Sequence, residues 1–391
     1  MGPPMPLHTG LKRIALSSVM ALMLTVLNAS AVVQPSPTEA VVNAVAEATC
    51  GKRIVLLGEL PSHGEARAFE IKAGIVDRLV ARCGFTAVLF EAPIYDFLGV
   101  EQAIGRREAT QGHLDNAIGR FWLTRELAPW RRTLFAAATE GRISIGGIDD
   151  QISITSAYAR ATLPGLVAAN SPTAAESTCR AIVHRHVNWT YDTATPFDEA
   201  EQARLDQCAR EASQRAAITP GANAPERVML ESFARYAQRQ RAGQSTTRDQ
   251  SMFTNLAWYI DRLPATSRVV VWTATVHAAK IRGSRTEAPL GAFAAERWGD
   301  RVASVGFTAR SGFTSRAGQA PTPLAATPAD SLEAIATGES TMTVLDGPAL
   351  QRLGAIPSRL FGRIATETWS NYFDLVVAIR EEAAPTFDPW K

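Results

Sequence analysis

Lysine is scarce in this chain: of 40 basic residues only five are lysine, at positions 12, 52, 72, 280 and 391. A lysine on an apolar helix face is therefore not background. Cysteine is sparser still, with four in 391 residues. Neither C-x-x-C nor H-E-x-x-H occurs, which leaves no compact zinc-ligand motif. No G-x-S-x-G marks the strand–helix turn of a serine hydrolase, and no G-x-x-x-x-G-K-[ST] supplies a phosphate loop. The formal charge of +2 lacks the basic excess of a nucleic-acid binder. Beyond the first 31 residues no apolar run reaches the roughly 20 residues that a membrane-spanning helix needs. No internal repeat is visible.

What is present begins with a leader. Lys12 and Arg13 precede an apolar run from Ile14 to Leu27, and Ala29-Ser30-Ala31 offers small residues for cleavage. This pattern marks residues 1–31 as a secretory signal peptide. An uncleaved anchor is the competing reading, and the shortness of the run stands against it. No cysteine follows the run as a lipid anchor would require. The expectation is a periplasmic or secreted protein, with no membrane contact after cleavage. Export makes the cysteines readable as bridges. Cys50 and Cys83 each stand just ahead of a short apolar strand. If those strands are parallel neighbours, the two thiols begin side by side. Cys179 and Cys208 form the remaining pair, tying two helices.

The stretch Arg53–Pro93 reads strand, loop, helix, strand. Ile54–Leu57 and Ala87–Phe90 are short apolar runs, as in strands buried on both faces of a parallel sheet. Glu59 and Glu91 follow them closely, and His63 lies in the first loop. In open α/β sheets the ligand crevice lies beyond the carboxyl ends of the strands. The helix from about Glu65 to Arg82 has a clear apolar face at 100° per residue. Glu65 and Lys72 project from the middle of that face. A buried unpaired ammonium is costly, so Lys72 is either a snorkelling core lysine or a cation aimed at Glu59 or Glu91.

Further strands are predicted at Arg142–Ile148, ending on Asp149-Asp150, at Arg268–Trp272, shortly followed by His277, and at Arg301–Phe307, Thr341–Leu345 and Tyr372–Ile379. One aspartate of the Asp149-Asp150 pair is equally readable as a helix cap. Residues 152–245 change character, with helical spacing punctuated by prolines. Asn188-Trp189-Thr190 matches a glycosylation sequon. Thr247 can cap the helix that starts at Arg248, where Arg248 and Asn255 lie on an apolar stripe. An arginine at a helix start opposes the helix dipole and calls for an anionic partner. Gly312–Pro328 reads as a loop, and Glu381–Lys391 as a poorly ordered tail. The chain thus divides into a leader (1–31), the first part of an α/β core (32–151), a helical insertion or lid (152–245) and the second part of the core (246–391). The fold class is α/β, with a mostly parallel central sheet flanked by helices.

One sheet edge then collects Glu59, His63, Glu91, Asp149 and His277, with Lys72 and Arg248 facing in from helices. Glu59, His63 and His277 remain a set that folding could bring around a metal. The alternative is metal-free. A carboxylate on an imidazole fixes its tautomer and raises its basicity, and such a histidine can deprotonate water. The cations would keep the acids ionised or stabilise an oxyanion.

At these residues the chain resembles the erythromycin esterase family. LLGELPSHGE, the helix through Lys72, GFTAVLFEAP, GGIDDQ, the RDQSMFTN helix and VVVWTATVHAAK succeed one another over roughly residues 50–310. The resemblance implies an α/β core with a helical lid that hydrolyses esters without metal or cofactor. It implies a histidine acting as general base on water. That role falls on His63, assisted by Glu59 and Glu91. Lys72 stands nine positions after the histidine, where the family usually has arginine. Two departures are visible. Leu60, Pro61 and Ser62 make three residues between Glu59 and His63, where the family usually has two. Ala274 replaces the first of two histidines, leaving His277. The implied substrate is a small-molecule ester or lactone, not necessarily a macrolide. A weaker, superfamily-level similarity to haem- or iron-binding lipoproteins implies a rival, an exported binding protein in which His63 or His277 ligates haem or metal. A third reading is a silent scaffold whose acids and bases only pair with one another.

Overall fold

Strand β1 (Ile54–Glu59) is buried along its whole length and occupies the middle of the sheet. Its side chains alternate, Ile54 and Leu56 entering one apolar cluster and Val55 and Leu57 the other. A strand covered by helices on both faces has no polar side, which is why it reads as a continuous apolar run. The computed structural model describes residues 1–4, 36–153, 155–188, 196–218, 225–242 and 248–388. Residues 5–31 of the expected leader, the sequon's Trp189 and Thr190, and Thr247 lie outside them. Ser36–Lys391 forms one compact unit.

The later strands are β2 (Phe85–Pro93), β3 (Ser144–Asp149), β4 (Arg268–Ala274), β5 (Val302–Thr314), β6 (Thr322–Pro323), β7 (Met342–Asp346), β8 (Ala355–Ser358), β9 (Ala365–Thr368) and β10 (Leu375–Glu382). The main sheet has the order β3-β2-β4-β1-β5-β10-β7, with β6 added to β5. All pairs from β3 to β10 are parallel; β7 and β6 are antiparallel to their partners. β8 and β9 form a separate hairpin.

Helices α1 (Pro37–Thr49), α2 (Ala66–Cys83), α3 (Ile94–Gly105), α4 (Gln111–Ile118) and α5 (Ala128–Thr139) precede β3 or flank it in sequence. Between β3 and β4 run α6 (Ala157–Ala169), α7 (Glu176–Asn188), α8 (Glu199–Ala217), α9 (Pro225–Ala242) and α10 (Arg248–Arg262). α11 (Thr275–Ala278), α12 (Leu290–Trp298), α13 (Leu332–Thr337) and α14 (Gly347–Leu353) complete the set. α1, α2, α4 and α5 bury their apolar residues on one sheet face. α6 to α10, α12 and α13 bury theirs on the other. No helix among the described residues is long and apolar enough to cross a membrane.

Both disulfides are present, Cys50–Cys83 with Cα atoms 5.1 Å apart and Cys179–Cys208 with 5.5 Å. The premise for the first is corrected: β4 lies between β1 and β2, so those strands are not neighbours. The cysteines meet instead because each ends a helix, α1 and α2, and both helices pack on the same face. Arg268 at the start of β4 donates to the carbonyls of Cys50 and Cys83, closing the gap below the bridge.

Three other expectations fail. β5 runs on to Thr314 and pairs with β6, so the segment from Gly312 is not all loop. β10 continues to Glu382, and the chain after it is bonded to the core: Arg125 N donates to Thr386 O (2.8 Å) and Asp388 N to Leu123 O (2.9 Å). The tail is therefore ordered through Asp388. Neither aspartate of the Asp149-Asp150 pair caps the next helix, whose N-cap is Ser156. Asp150 is buried against Arg239 of α9 (2.8 Å from Oδ2 to Nη1) and anchors the inserted helices to the end of β3.

Candidate active site

The carboxyl ends of β1, β2, β3 and β4 deliver Glu59, Glu91, Asp149 and Thr273 to one place. Glu59 is the last residue of β1 and is wholly buried. The chain then turns, with His63 N donating to Leu60 O at 3.0 Å. This folds His63 back so that its Nδ1 lies 2.9 Å from Glu59 Oε1. The turn puts His63 at φ +50, a left-handed conformation that costs a non-glycine residue about 1–2 kcal/mol. Histidine is among the residues that tolerate it. Gly64 follows because a Cβ there would collide with the Ser315 carbonyl.

Glu59 holds three partners. Trp122 Nε1 donates to Oε1 at 2.9 Å, His63 shares that oxygen, and Lys72 of α2 forms an ion pair with Oε2. The Lys72 side chain is fully buried; its Nζ also donates to Thr273 O at 3.2 Å and sits 4.3 Å from the Trp272 ring centroid. Burial pushes the ammonium well below the usual lysine range. His63 packs against Phe121 and Trp122 at 4.9 and 5.4 Å between centroids. Burial lowers its pKa from the ordinary value, with Glu91 and Glu65 pulling the other way and His277 and Arg248 pulling with it. The imidazole is thus neutral near pH 7. With Nδ1–H bonded to Glu59, the Nε2 lone pair is free.

Glu91 is the hub of the other half. Its Oε2 accepts from Thr273 Oγ1 (2.7 Å) and Ala274 N (2.8 Å). Its Oε1 faces Arg248 Nη2 at 2.9 Å, His277 Nε2 at 3.2 Å and His63 Nε2 at 3.9 Å. Burial alone would raise its pKa, but His277, Arg248 and His63 hold the carboxylate well below the usual range. Arg248 opens α10, and its misplacement against the helix dipole is answered by Glu91 and by Asp149 (Nη2 to Oδ2, 2.6 Å). His277 lies in α11, just beyond β4, with Nδ1 2.8 Å from Asp249 Oδ1. Burial lowers its pKa, yet Glu91 and Asp249 outweigh this and lift it to about 9. His277 is therefore an imidazolium at neutral pH, with Nε2–H directed at Glu91.

Of the residues singled out from sequence, Glu59, His63, Lys72, Glu91, Asp149, Arg248 and His277 meet here. Asn255 does not. It sits two turns along α10 and stitches that helix to its neighbours, donating to Ile148 O (2.9 Å) and accepting from Ser232 and Arg235. Glu65 lies beneath the loop rather than in the mouth: it is buried, and accepts from Gly64 N at 3.0 Å. Trp122 and Asp249 belong to the site and were not foreseen. Among the described residues no group of three or more His, Cys, Asp or Glu is arranged to hold a metal ion.

A family model described as erythromycin esterase matches residues 80–386. The match begins inside α2, so Glu59, His63 and Lys72 precede it. No curated protein matches the sequence. Solved structures share the fold at low identity. One is described as a succinoglycan biosynthesis protein: 14% identity, TM-score 0.67, covering 89% of this chain and 92% of its own. Another, from Bacillus cereus, has 16% identity and a TM-score of 0.66, covering 91% and 100%. An erythromycin esterase EreC mutant in its open conformation has 16% identity and a TM-score of 0.62, covering 87% and 93%. The family match over most of the length, together with this shared architecture, places the protein: the chain belongs to the erythromycin esterase family.

Proposed function

We propose that the protein is an exported hydrolase of small-molecule esters or lactones that activates water through His63 without a metal. The carrying observation is a pair of histidines facing one carboxylate oxygen, Glu91 Oε1, at 3.9 Å from His63 and 3.2 Å from His277, the first with its pKa lowered by burial and the second with its pKa raised by Glu91 and Asp249. A neutral base beside fixed cations is the arrangement that ester hydrolysis needs at neutral pH.

In the reaction His63 Nε2 takes a proton from water as the water oxygen bonds to the carbonyl carbon. The carbonyl π pair moves onto oxygen, where Arg248 donates to the oxyanion and the positive charge of His277 lies close by. Collapse re-forms the C=O bond and expels the alkoxide, which takes the proton from the His63 imidazolium. An acid and an alcohol leave. Glu59 holds Nδ1–H throughout and sets the tautomer; Glu91 lies close enough to stabilise the transient imidazolium. The helices of 152–245 serve as the lid over this mouth.

Metal independence is supported by how fully the donors are committed. Glu59 Oε1 and both oxygens of Glu91 already accept from protein groups, and Glu59 Oε2 is ion-paired with Lys72. Export is supported by the two disulfides, which persist in oxidising compartments.

A panel of aryl esters and lactones, assayed on wild type and His63→Ala with and without chelator, tests the reading. Loss of the base should lower kcat/KM by about 10²–10⁴-fold, with no chelator effect. Turnover that survives His63→Ala, or that chelator abolishes and zinc restores, would replace the mechanism. A haem titration of the same protein, with no Soret band expected, separates the enzyme from a haem carrier.

A further inference from the structure

The loop that carries His63 places three residues between Glu59 and the histidine, and its backbone is left-handed at the histidine. Such a conformation persists only where the surroundings over-determine it. Four residues of extended chain would carry His63 about 13 Å from Glu59, yet the two side chains are 2.9 Å apart. Something must hold the fold-back.

One carboxyl spans it. Glu65 Oε1 is hydrogen-bonded to Ser62 Oγ, and Glu65 Oε2 accepts from Gly64 N at 3.0 Å. Ser62 and Gly64 are the residues on either side of His63. Thr314 Oγ1, at the end of β5, lies 3.0 Å from Glu65 Oε1 and 3.2 Å from Ser62 Oγ. The carboxyl is 1% exposed, so water does not compete for these bonds. The loop's other ties lie to one side of His63 or the other: Ser315 N to Gly64 O (3.1 Å) and Ala66 N to Ala383 O (2.8 Å) after it, and the packing of Pro61 against Gly362 before it. Among the described residues only Glu65 is seen to bind both flanks.

We propose that Glu65 is a positioning residue for His63: it clamps the two flanking residues, anchors them to β5, and so aims the imidazole between Glu59 and Glu91. The inference rests on His63 being the base of the proposed reaction only for its kinetic consequence. The clamp works with the carboxyl in either protonation state. Burial holds Glu65 above the usual carboxylate range, and a proton on Oε1 would simply be donated to Ser62 or Thr314. Glutamine offers the same pattern, an oxygen for Gly64 N and an amide for the hydroxyls. Charge is therefore dispensable and geometry is not.

The test compares wild type, Glu65→Ala, Glu65→Gln and Thr314→Val in two measurements. Nitrogen-15 NMR of labelled histidine, with His63 assigned by its absence in His63→Ala, reads the tautomer and pKa of the ring. Wild type should show an Nδ1–H ring titrating below 6.5. Glu65→Ala should shift the tautomer towards the mixture of a free histidine, and Glu65→Gln should keep the wild-type tautomer, with a ring pKa no higher than wild type because the Glu65 charge that raises it is gone. In ester turnover Glu65→Ala should lose about 10²-fold in kcat at nearly constant KM, as a misplaced group does, whereas Glu65→Gln stays within about threefold. Thr314→Val keeps both flanking bonds and should fall between, and it serves if the alanine variant does not fold. A Glu65→Ala or Thr314→Val protein with wild-type nitrogen shifts overturns the clamp, as does glutamine failing as badly as alanine. A wild-type chain inert towards every ester overturns the hydrolase reading and leaves the nitrogen shifts to decide the clamp.

Discussion

The two halves of the site hold one histidine each and treat them oppositely. His63 shares Glu59 with Lys72 and Trp122, and burial, the largest influence on the ring, lowers its pKa: the ring stays uncharged. His277 lies between Glu91 and Asp249, and two carboxylates outweigh the same burial, giving a pKa of about 9. Pairs of titratable groups driven apart by their surroundings are how acid and base roles are assigned at one pH. The difference lies in what each ring touches: His277 is within 3.2 Å of two carboxylates, Glu91 and Asp249, whereas His63 lies 3.9 Å from Glu91.

The largest expected effect comes from erasing that distinction. In Lys72→Met, Glu59 loses its counter-charge and remains buried beside His63. Breaking a buried ion pair costs about 3–5 kcal/mol, readable as a lower urea midpoint. The freed carboxylate should also raise the His63 pKa, so that the acid limb of the kcat/KM profile moves up by about a unit or more. His63 would then resemble His277, protonated where it should be a base. A variant whose acid limb stays at the wild-type position would show that Lys72 does not set the state of His63.

The comparison sharpens in the pH dependence of stability. His277 has a folded pKa raised from 6.5 to about 9. Its contribution is full below 6.5 and is lost as pH rises through 9, on the order of 3 kcal/mol in all. His63 has a lowered folded pKa. Its contribution is present above 6.5 and is lost as pH falls through the folded value. Thermal unfolding should therefore show opposite slopes on the two sides, and His277→Gln should flatten only the alkaline one. An alkaline slope unchanged in His277→Gln would place its origin elsewhere.

How much of this was legible in sequence follows from the kind of signal each residue leaves. β1, β2 and β4 announce themselves because strands covered on both faces are short apolar runs. Lys72 and Arg248 stood out as polar residues on apolar stripes, and each proved to hold an acid at the site. Asn255 gave the same signal and has a different use, bonding the end of β3 to α9 and α10, because a stripe shows only that a side chain faces inward, not what it meets. Asp249 was hidden by its position: an acid in the first turn of a helix is accounted for by the dipole alone. Trp122 sits in the 3₁₀ turn Arg120–Trp122, where no period exists to mark it. The insertion of β4 between β1 and β2 joins segments about 180 and about 215 positions apart in sequence, and no local pattern encodes that order. The β8–β9 hairpin, four residues per strand with Pro357 in one, is too short to alternate visibly.

The smallest effect is the most specific. Asp249→Asn removes the charge from one side of His277 but keeps a carbonyl oxygen where Nδ1–H and Leu290 N both donate, at 2.8 and 2.7 Å. The helix start and the hydrogen bonds survive, so stability should change little. Glu91 still raises the imidazole, so His277 does not become a copy of His63; it loses one of its two carboxylates. Its pKa should drop from about 9 by roughly one unit, a difference of about 1.4 kcal/mol, and the alkaline limb of the rate profile should follow it down. The acid limb, set by His63 on the far side of Glu91, should not move. If the two limbs shift together, the histidines titrate as one coupled system and the separation into a neutral and a charged half fails. If the alkaline limb stays at 9 while NMR shows His277 titrating lower, the imidazolium charge does not act on the oxyanion, and Arg248 alone stabilises it.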